Sequence, residues 1–290
     1  MRCSVDTLVF RKTNGIPDFV LPERRPLIDR FLEAYRVIRE CESWICSDRD
    51  AYERLPEADR TDPNRSVWRL RTRSFRLLLE DLQRRYTAKP LRILDAGAGN
   101  AWLSLQLSRL GHEPVAVDIS TDIGDGLGAP IALYGDAIPF PLIRAEFDFL
   151  PFPAKSFDIV VFNASLHYAA HPEATVSDVH KLLRDGGSLY VIDSPEFASR
   201  DDGNAMISQL SADFVSKYSV RLPPYGRGFL LSSMSETVND RYTVTRQNTS
   251  FGFRFRLGQT ITRFRHGRPS ASIPFLVLTK PQPEQRRTSM

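Results

Sequence analysis

The sequence predicts an α/β protein with a doubly wound, mostly parallel sheet of the Rossmann-like kind, antiparallel strands near its C-terminal end and a helical N-terminal extension. Three observations support this fold class. From Pro90 onwards, short β-rich runs alternate with helical runs, which is typical of βαβ units. A glycine-rich turn follows the first of these runs, at Gly97. Beyond Tyr242, aromatic and polar residues alternate, which predicts strands with one buried and one solvated face.

Length and composition favour one main domain, since 290 residues with 42% hydrophobic content can bury one sizeable α/β core and an added segment. We expect an N-terminal arm and helical cap at 1–87, the α/β domain at 88–280 with an insertion near 194–234, and a polar tail at 281–290. No run approaches the roughly 18 apolar residues of a membrane span, and residues 1–15 lack a signal peptide's apolar centre. These features predict a cytoplasmic protein with no membrane partner.

The three cysteines do not predict a metal site. Cys3, Cys41 and Cys46 lack the spacing of a zinc site and have no second Cys/His pair nearby, which favours free thiols. The formal net charge of +4 is modest for this length, so it only weakly favours an anionic partner.

The elements follow from hydrophobic periodicity. Apolar residues at near-helical spacing predict two amphipathic helices in the N-terminal extension, from Pro26 to about Ser47 and from Val67 to Tyr86. The predicted strands are 92–96, 114–118, 157–163, 188–193, 251–257 and 273–279, and the helices between them are 101–110 and 173–184. A short helix is expected within the Gly/Asp-rich stretch 119–144.

The sharpest local signal is LRILDAGAGNAW at residues 91–102, an apolar strand followed by glycines and then a helix. Glycine at the carboxyl end of a strand lets the backbone turn tightly and approach a ligand. The next strand ends at Asp118, whose carboxylate is suited to accept from both hydroxyl groups of a ribose. Trp102 stands where the dinucleotide pattern needs a small residue, which disfavours NAD and FAD.

Four ordered segments carry a resemblance to a known family. They are DAGAGNA at 95–101, VAVDIS at 115–120, AEFDFLPFPAKSFDIVVFNASLHY at 145–168 and LLRDGGSLYVID at 182–193. This pattern resembles the class I S-adenosylmethionine-dependent methyltransferases, in which the first segment is an acidic residue followed by x-G-x-G-x-G. The last glycine of that motif is Ala101 here. The resemblance implies the methyltransferase form of the Rossmann-like fold, S-adenosylmethionine as cofactor and methyl transfer as activity.

The resemblance also implies roles for the residues of the first two segments. Gly97 and Gly99 would lie under the methionine part of the cofactor, and Asp118, followed by Ile119, would contact the ribose. Asp95 is assigned to the cofactor site as well. Its short side chain could equally hold the loop through backbone N–H groups.

The third segment supplies the remaining candidates. Glu146, in place of the commoner Asp, aligns with the acceptor of the adenine amino group, and Phe147 with the residue that flanks the ring. Asn163 would sit beside the methionine group and face the methyl acceptor. His167 is the best-placed candidate for a general base, because its ordinary pKa is near neutrality. A structural role for His167 remains open, and Asn163 is also a candidate for shaping the pocket.

Three functions are compatible with these features. A methyltransferase for a small-molecule acceptor is favoured, with the helical cap and the insertion at 194–234 closing over it. A methyltransferase for RNA or protein is the alternative, since 254–268 carries five arginines interleaved with phenylalanines. In a strand, however, these two residue types fall on opposite faces. The third is an S-adenosylmethionine-binding protein without transfer activity.

Overall fold

A computed structural model describes residues 10–87, 90–247 and 271–282. The strands are β1 (Arg11–Thr13), β2 (Ile16–Asp18), β3 (Arg92–Ala96), β4 (Glu113–Asp118), β5 (Leu142–Arg144), β6 (Phe157–Asn163), β7 (Leu183–Ile192), β8 (Glu196–Phe197), β9 (Leu230–Leu231), β10 (Thr243–Gln247) and β11 (Phe275–Thr279). The helices are α1 (Arg25–Cys41), α2 (Arg49–Arg54), α3 (Arg65–Arg85), α4 (Trp102–Arg109), α5 (Gly128–Tyr134), α6 (Pro172–Leu182), α7 (Arg200–Tyr218) and α8 (Met234–Thr237).

Within the described ranges, nine strands form one sheet in the order β1-β2-β5-β4-β3-β6-β7-β11-β10. Neighbours from β2 to β7 pair in parallel, whereas β11 pairs antiparallel with both β7 and β10. The predicted fold class is therefore confirmed, including the antiparallel C-terminal strands. The chain first builds outwards from β3 through β4 to β5 and then resumes on the other side of β3 with β6, so a crevice opens between β3 and β6.

The central strands are apolar on both faces because helices cover both. Ile93 and Leu94 are adjacent in β3 and each is fully buried, in different hydrophobic clusters. Ile93 belongs to the cluster that includes Leu78 of α3 and Leu105 of α4. Leu94 belongs to the cluster that includes Val176 of α6. This two-sided burial explains why the predicted strands read as continuous hydrophobic runs.

Several predicted bounds agree closely with the structure. The strands predicted at 92–96 and 157–163 have these bounds, and α3 covers the second predicted N-terminal helix. The first predicted helix ends earlier, at Cys41, and is followed by α2, which the sequence analysis did not predict. The strand predicted at 251–257 and the arginines of 254–268 lie outside the described residues.

The N-terminal arm joins the sheet. β1 and β2 form an antiparallel hairpin, and Asp18 of β2 pairs in parallel with Arg144 of β5. The Asp18 side chain is fully buried and forms ion pairs with Arg25, at 2.8 Å, and with Arg144, at 3.0 Å. The start of α1 is thus attached to β2 and, through Asp18, to β5.

Two features are absent from residues 10–87, 90–247 and 271–282. No helix there is long and apolar enough to span a membrane. No three His, Cys, Asp or Glu side chains in those ranges lie where they could share a metal ion, and Cys41 and Cys46 are free thiols.

Candidate active site

The described residues enclose a cavity of about 250 Å³ at the carboxyl ends of β3, β4 and β6. Open α/β sheets bind ligands in the crevice where the strand order reverses, and this cavity occupies that place. Residues of α1 and α3 supply a further wall. The predicted site residues that line the cavity are Asp95, Gly97, Gly99, Asp118, Ile119, Phe147, Asn163 and His167. Glu146 is the predicted residue that does not.

The loop after β3 meets the cavity with its backbone. The N–H groups of Gly97 and Ala98 donate to the carbonyl oxygen of Val117, at 2.8 and 3.0 Å. Gly97 has a φ of +75°, and a Cβ there would lie 2.4 Å from Cβ of Ser165 and 2.9 Å from the Phe147 ring. A side chain at this position would therefore overlap its neighbours and strain the backbone.

Asp118 ends β4 and ties two loops together. Its Oδ2 accepts from the N–H of Gly99 and its Oδ1 from the N–H of Ser120, each at 2.8 Å. Burial raises the pKa of this carboxyl, although the N–H donors oppose the shift. Each carboxylate oxygen has a second acceptor site, so Asp118 can receive ligand hydroxyl groups while it holds the glycine loop.

Two buried acceptor atoms beside the cavity have no partner among the described residues. Asp95 is 1% exposed; its Oδ2 accepts from the Ser104 hydroxyl at 2.8 Å, and its Oδ1 is unpaired. The amide oxygen of Asn163 is also unpaired. Burial raises the pKa of Asp95 to about 7. Because unpaired buried acceptors are costly, these atoms point to a ligand that donates hydrogen bonds here.

Phe147 and Glu146 are adjacent but face different surroundings. Phe147 lines the cavity and packs edge-on against Phe162, with centroids 5.5 Å apart. Glu146 is 3% exposed, and its carboxylate accepts from Arg24, at 2.7 Å, and from the Tyr225 hydroxyl, at 3.2 Å. In this structure Glu146 joins the start of α1 to the segment after α7. Its contact with an adenine amino group stays a prediction.

His167 lies in a short 3-10 helix just after β6. Its Nδ1 is 3.2 Å from the Ser194 hydroxyl. Burial lowers the pKa of His167 to about 4, so the imidazole is neutral near pH 7. A neutral imidazole with one nitrogen oriented by a hydroxyl can accept a proton through the other nitrogen.

The buried imidazole of His167 predicts a loss of stability in acid. Its folded-state pKa of about 4 is below the ordinary 6.5, so the unfolded chain takes up a proton first as the pH falls. The contribution of His167 to the free energy of unfolding should then fall by up to about 3 kcal/mol between pH 6.5 and 4, at about 1.4 kcal/mol per pKa unit. We expect His167→Gln to remove most of this difference, measured by urea unfolding at pH 7 and pH 5. The control His171→Gln, which replaces an exposed imidazole, should preserve it, and equal acid sensitivity in all three proteins would contradict the prediction.

Four aromatic side chains cover the cavity, two of them on α1. Phe31 stacks on Tyr35 and on Tyr225, with centroid distances of 5.3 and 4.7 Å. The hydroxyl groups of Tyr35 and Tyr168 are 3.5 Å apart. We call Phe31, Tyr35, Tyr168 and Tyr225 the aromatic cover. It gives this side of the cavity a largely apolar surface, in which the tyrosine hydroxyl groups are the polar atoms.

The insertion after β7 contributes to the cover through Tyr225. Its other aromatic residues lie elsewhere: Phe197 and Phe229 are buried and pack edge-on, with centroids 5.9 Å apart. Phe214 and Tyr218 pair on α7, with centroids 6.2 Å apart. For these four, core or surface packing is the role that the structure supports.

Three charged residues of the cavity were not candidates in the sequence analysis. Arg39 of α1 forms an ion pair with Asp125 of the Gly/Asp-rich loop, closing one side. Arg71 of α3 lines the cavity and lies over the ring of Trp68, at 4.7 Å. The i, i+3 spacing of Trp68 and Arg71 was a visible signal that the two share a helix face.

Comparisons with known proteins agree with this geometry. The profile of the family described as "Methyltransferase domain" matches residues 94–191. The malonyl-[acyl-carrier protein] O-methyltransferase of Gallionella capsiferriformans is 31% identical over 109 residues, 35% of this chain and 37% of that protein. The tRNA 5-carboxymethoxyuridine methyltransferase of Escherichia coli is 27% identical over 118 residues, 39% of this chain and 45% of that protein. The match thus spans less than half the length of either curated relative.

A solved structure resembles a larger part of the chain. The YcgJ protein of Bacillus subtilis has 18% sequence identity and a TM-score of 0.50, and the alignment covers 73% of this chain and 99% of that one. At this identity the likeness concerns the fold alone.

The fold and the cavity define a nucleotide-cofactor-binding α/β protein, with the glycine loop and Asp118 at the switch point of the sheet. Residues 94–191 match the methyltransferase domain family and resemble the class I S-adenosylmethionine-dependent methyltransferases, which indicates S-adenosylmethionine as the cofactor.

Proposed function

We propose that this protein transfers a methyl group from S-adenosylmethionine to a small-molecule acceptor bound under the aromatic cover. The observation that carries the proposal is the shared cavity. The glycine loop, Asp118 and the unpaired acceptor atoms of Asp95 and Asn163 line the same space as the aromatic cover. A cofactor and a compact acceptor would therefore lie side by side.

The residues present fit the cofactor. Gly97 leaves room that a Cβ would fill, and Asp118 presents acceptor sites at the position where a ribose is expected. Phe147 offers a ring edge or face to a base. When bound, S-adenosylmethionine supplies a methyl group made electrophilic by the positive charge on its sulfur, so orientation of the acceptor contributes much of the acceleration.

The acceptor side is proposed to work through positioning and one proton acceptor. His167, oriented by Ser194, would take the proton from an acceptor hydroxyl or amine through Nε2. Asn163 lies at the end of β6, lines the same cavity and would orient the acceptor. Methyl transfer does not require a base for every nucleophile, so the importance of His167 depends on the acceptor.

A small acceptor is favoured over RNA or protein because α1 covers the site. Phe31 and Tyr35 come from α1, and the ion pair between Arg39 and Asp125 joins that helix to the loop after β4. This cover limits access for a chain-like substrate. In this proposal residues 1–87 form the arm and cap, residues 88–280 the catalytic domain with an acceptor-side insertion near 194–234, and the protein acts in the cytoplasm.

Removal of the Asp118 carboxylate is the direct test of the cofactor. By calorimetric titration with S-adenosylmethionine, we expect Asp118→Ala to weaken binding about 10- to 100-fold, because hydrogen bonds to a charged group contribute about 1.5–3 kcal/mol each. The control Asp136→Ala, on the exposed turn after α5, should bind like the wild type. Binding of NADH but not of S-adenosylmethionine would overturn the proposal.

An acceptor screen then separates the candidate functions. Methylation of a metabolite by the wild type, reduced in a variant of the aromatic cover such as Phe31→Ala, would support the small-molecule acceptor. Transfer to RNA or protein in preference to metabolites would replace it. Cofactor binding without transfer to any class would favour a binding protein.

A further inference from the structure

Arg71 is a partly buried cation that forms no ion pair with the residues that the structure describes. It lies on α3, outside the residues that match the methyltransferase domain family, and it lines the cavity. The group lies over the rings of Trp68 and Trp44, at 4.7 and 5.2 Å from the centroids. Burial lowers the pKa of Arg71, which reflects the cost of keeping this charge away from water.

The other arginines around the site are paired, which makes Arg71 distinctive. Arg39 binds Asp125, and Arg24 binds Glu146. Among the described residues, no carboxylate lies within ion-pairing distance of Arg71, and no hydrogen bond from its guanidinium is found. Asp193 is a source of favourable charge for Arg71, but the hydrogen bond that its carboxylate makes is to the Ser74 hydroxyl, at 2.5 Å.

The cavity presents both hydrogen-bond donors and hydrogen-bond acceptors that have no partner among the described residues. Arg71 offers donors and a positive charge, whereas Oδ1 of Asp95 and Oδ1 of Asn163 are buried acceptors without donors. An α-amino acid can satisfy both, because its carboxylate accepts hydrogen bonds and its ammonium group donates them. A planar guanidinium can bind a carboxylate through two parallel hydrogen bonds.

We infer that Arg71 binds the α-carboxylate of the methionine part of S-adenosylmethionine, while Asp95 and Asn163 accept from its ammonium group. The inference rests on the proposed cofactor and adds a residue outside the family's motifs. The Arg71 guanidinium lies against the rings of Trp44 and Trp68. Trp68 also contacts Trp102 edge-on, with centroids 6.1 Å apart, and Trp102 begins the helix after the glycine loop. Arg71 and the glycine loop line the same cavity.

The test compares two ligands that differ in the amino-acid part. S-adenosylhomocysteine carries the carboxylate and the ammonium, and 5′-methylthioadenosine keeps the nucleoside and sulfur but lacks both. By calorimetry on the full chain, we expect Arg71→Met to weaken S-adenosylhomocysteine about 10- to 100-fold. Its binding of 5′-methylthioadenosine should stay within about twofold of the wild type. Arg71→Lys should recover only part of the loss, because it keeps the charge without the planar fork.

The control is Arg69→Met, which removes an exposed arginine from the same helix and should leave both ligands unaffected. Equal weakening of both ligands by Arg71→Met would make Arg71 a structural residue and overturn the inference. Unchanged binding of S-adenosylhomocysteine would also overturn it. Failure of the wild type to bind either ligand would instead refute the proposed cofactor.

Discussion

Replacing Gly97 with alanine is expected to lower the free energy of unfolding by about 2–5 kcal/mol and to abolish measurable cofactor binding. The backbone at Gly97 has a φ of +75°, where an L-residue costs about 1–2 kcal/mol. The added Cβ would also lie 2.4 Å from Cβ of Ser165, and overpacking of this kind costs about 1–3 kcal/mol. Relief of the overlap would move the loop that meets the ligand.

Gly111 provides a matched control for the backbone contribution. Its φ is +81°, but a Cβ there would have no atom within 4 Å. Gly111→Ala should therefore show the conformational cost alone, about 1–2 kcal/mol, with cofactor affinity unchanged. Urea unfolding and calorimetric titration of both variants give the comparison. Equal destabilisation by the two substitutions, with binding retained in both, would show that Gly97 is not packed as described.

The features that the sequence predicted well depend on neighbouring residues. The bounds of β3 and β6 follow from short apolar runs ended by turn residues, and the position of Asp118 follows from the length of one βαβ unit. Local hydrophobicity and turn geometry decide these features, so one sequence is enough to predict them. The fold class was predictable for the same reason, because alternating strand and helix patterns are local features, and the structure confirms it.

Contacts between distant segments were not predictable in this way. The helical period of α1 was clear, but nothing local shows that Phe31 and Tyr35 face the cavity and that Arg39 meets Asp125. Arg71 depends on Trp44, which precedes it by 27 residues and belongs to a different segment. An amphipathic pattern shows that a face is buried without showing what covers it.

The contacts of Glu146 were also not predictable from its local sequence, although this residue lies within a segment that resembles the family. Its alignment with an adenine-binding position came from the resemblance, and the structure shows its carboxylate bound to Arg24 and Tyr225. Both partners come from segments outside the family match. Motif position alone therefore does not decide what a buried carboxylate contacts.

Replacing Asp18 with asparagine is expected to destabilise the protein by about 3–5 kcal/mol, the usual cost of removing one partner from a buried ion pair. Asp18 is fully buried and accepts from Arg25, Arg144 and the N–H of Val20, at 2.8, 3.0 and 3.0 Å. Without that charge, the Arg144 guanidinium, with 6% of its side chain exposed, has one remaining ionic partner among the described residues, the solvated acid Asp29. Asp29→Asn is the control and should cost less than about 1 kcal/mol.

The effect of Asp18→Asn should depend on pH and extend to the cofactor. Burial alone would raise the pKa of Asp18, but hydrogen bonds from Arg25, Thr13 and Val20, with the charge of Arg144, lower it below 3.8. Its contribution is therefore present above pH 3.8 and lost as the pH falls through the lower folded-state pKa, so wild type and variant should converge in acid. Arg144 also donates to the carbonyl of Ile119, at 2.8 Å, beside Asp118. Weaker cofactor binding in Asp18→Asn than in Asp29→Asn would show that the buried pair supports the ribose side of the site, and equal stability of the two variants would show that it does not hold the arm.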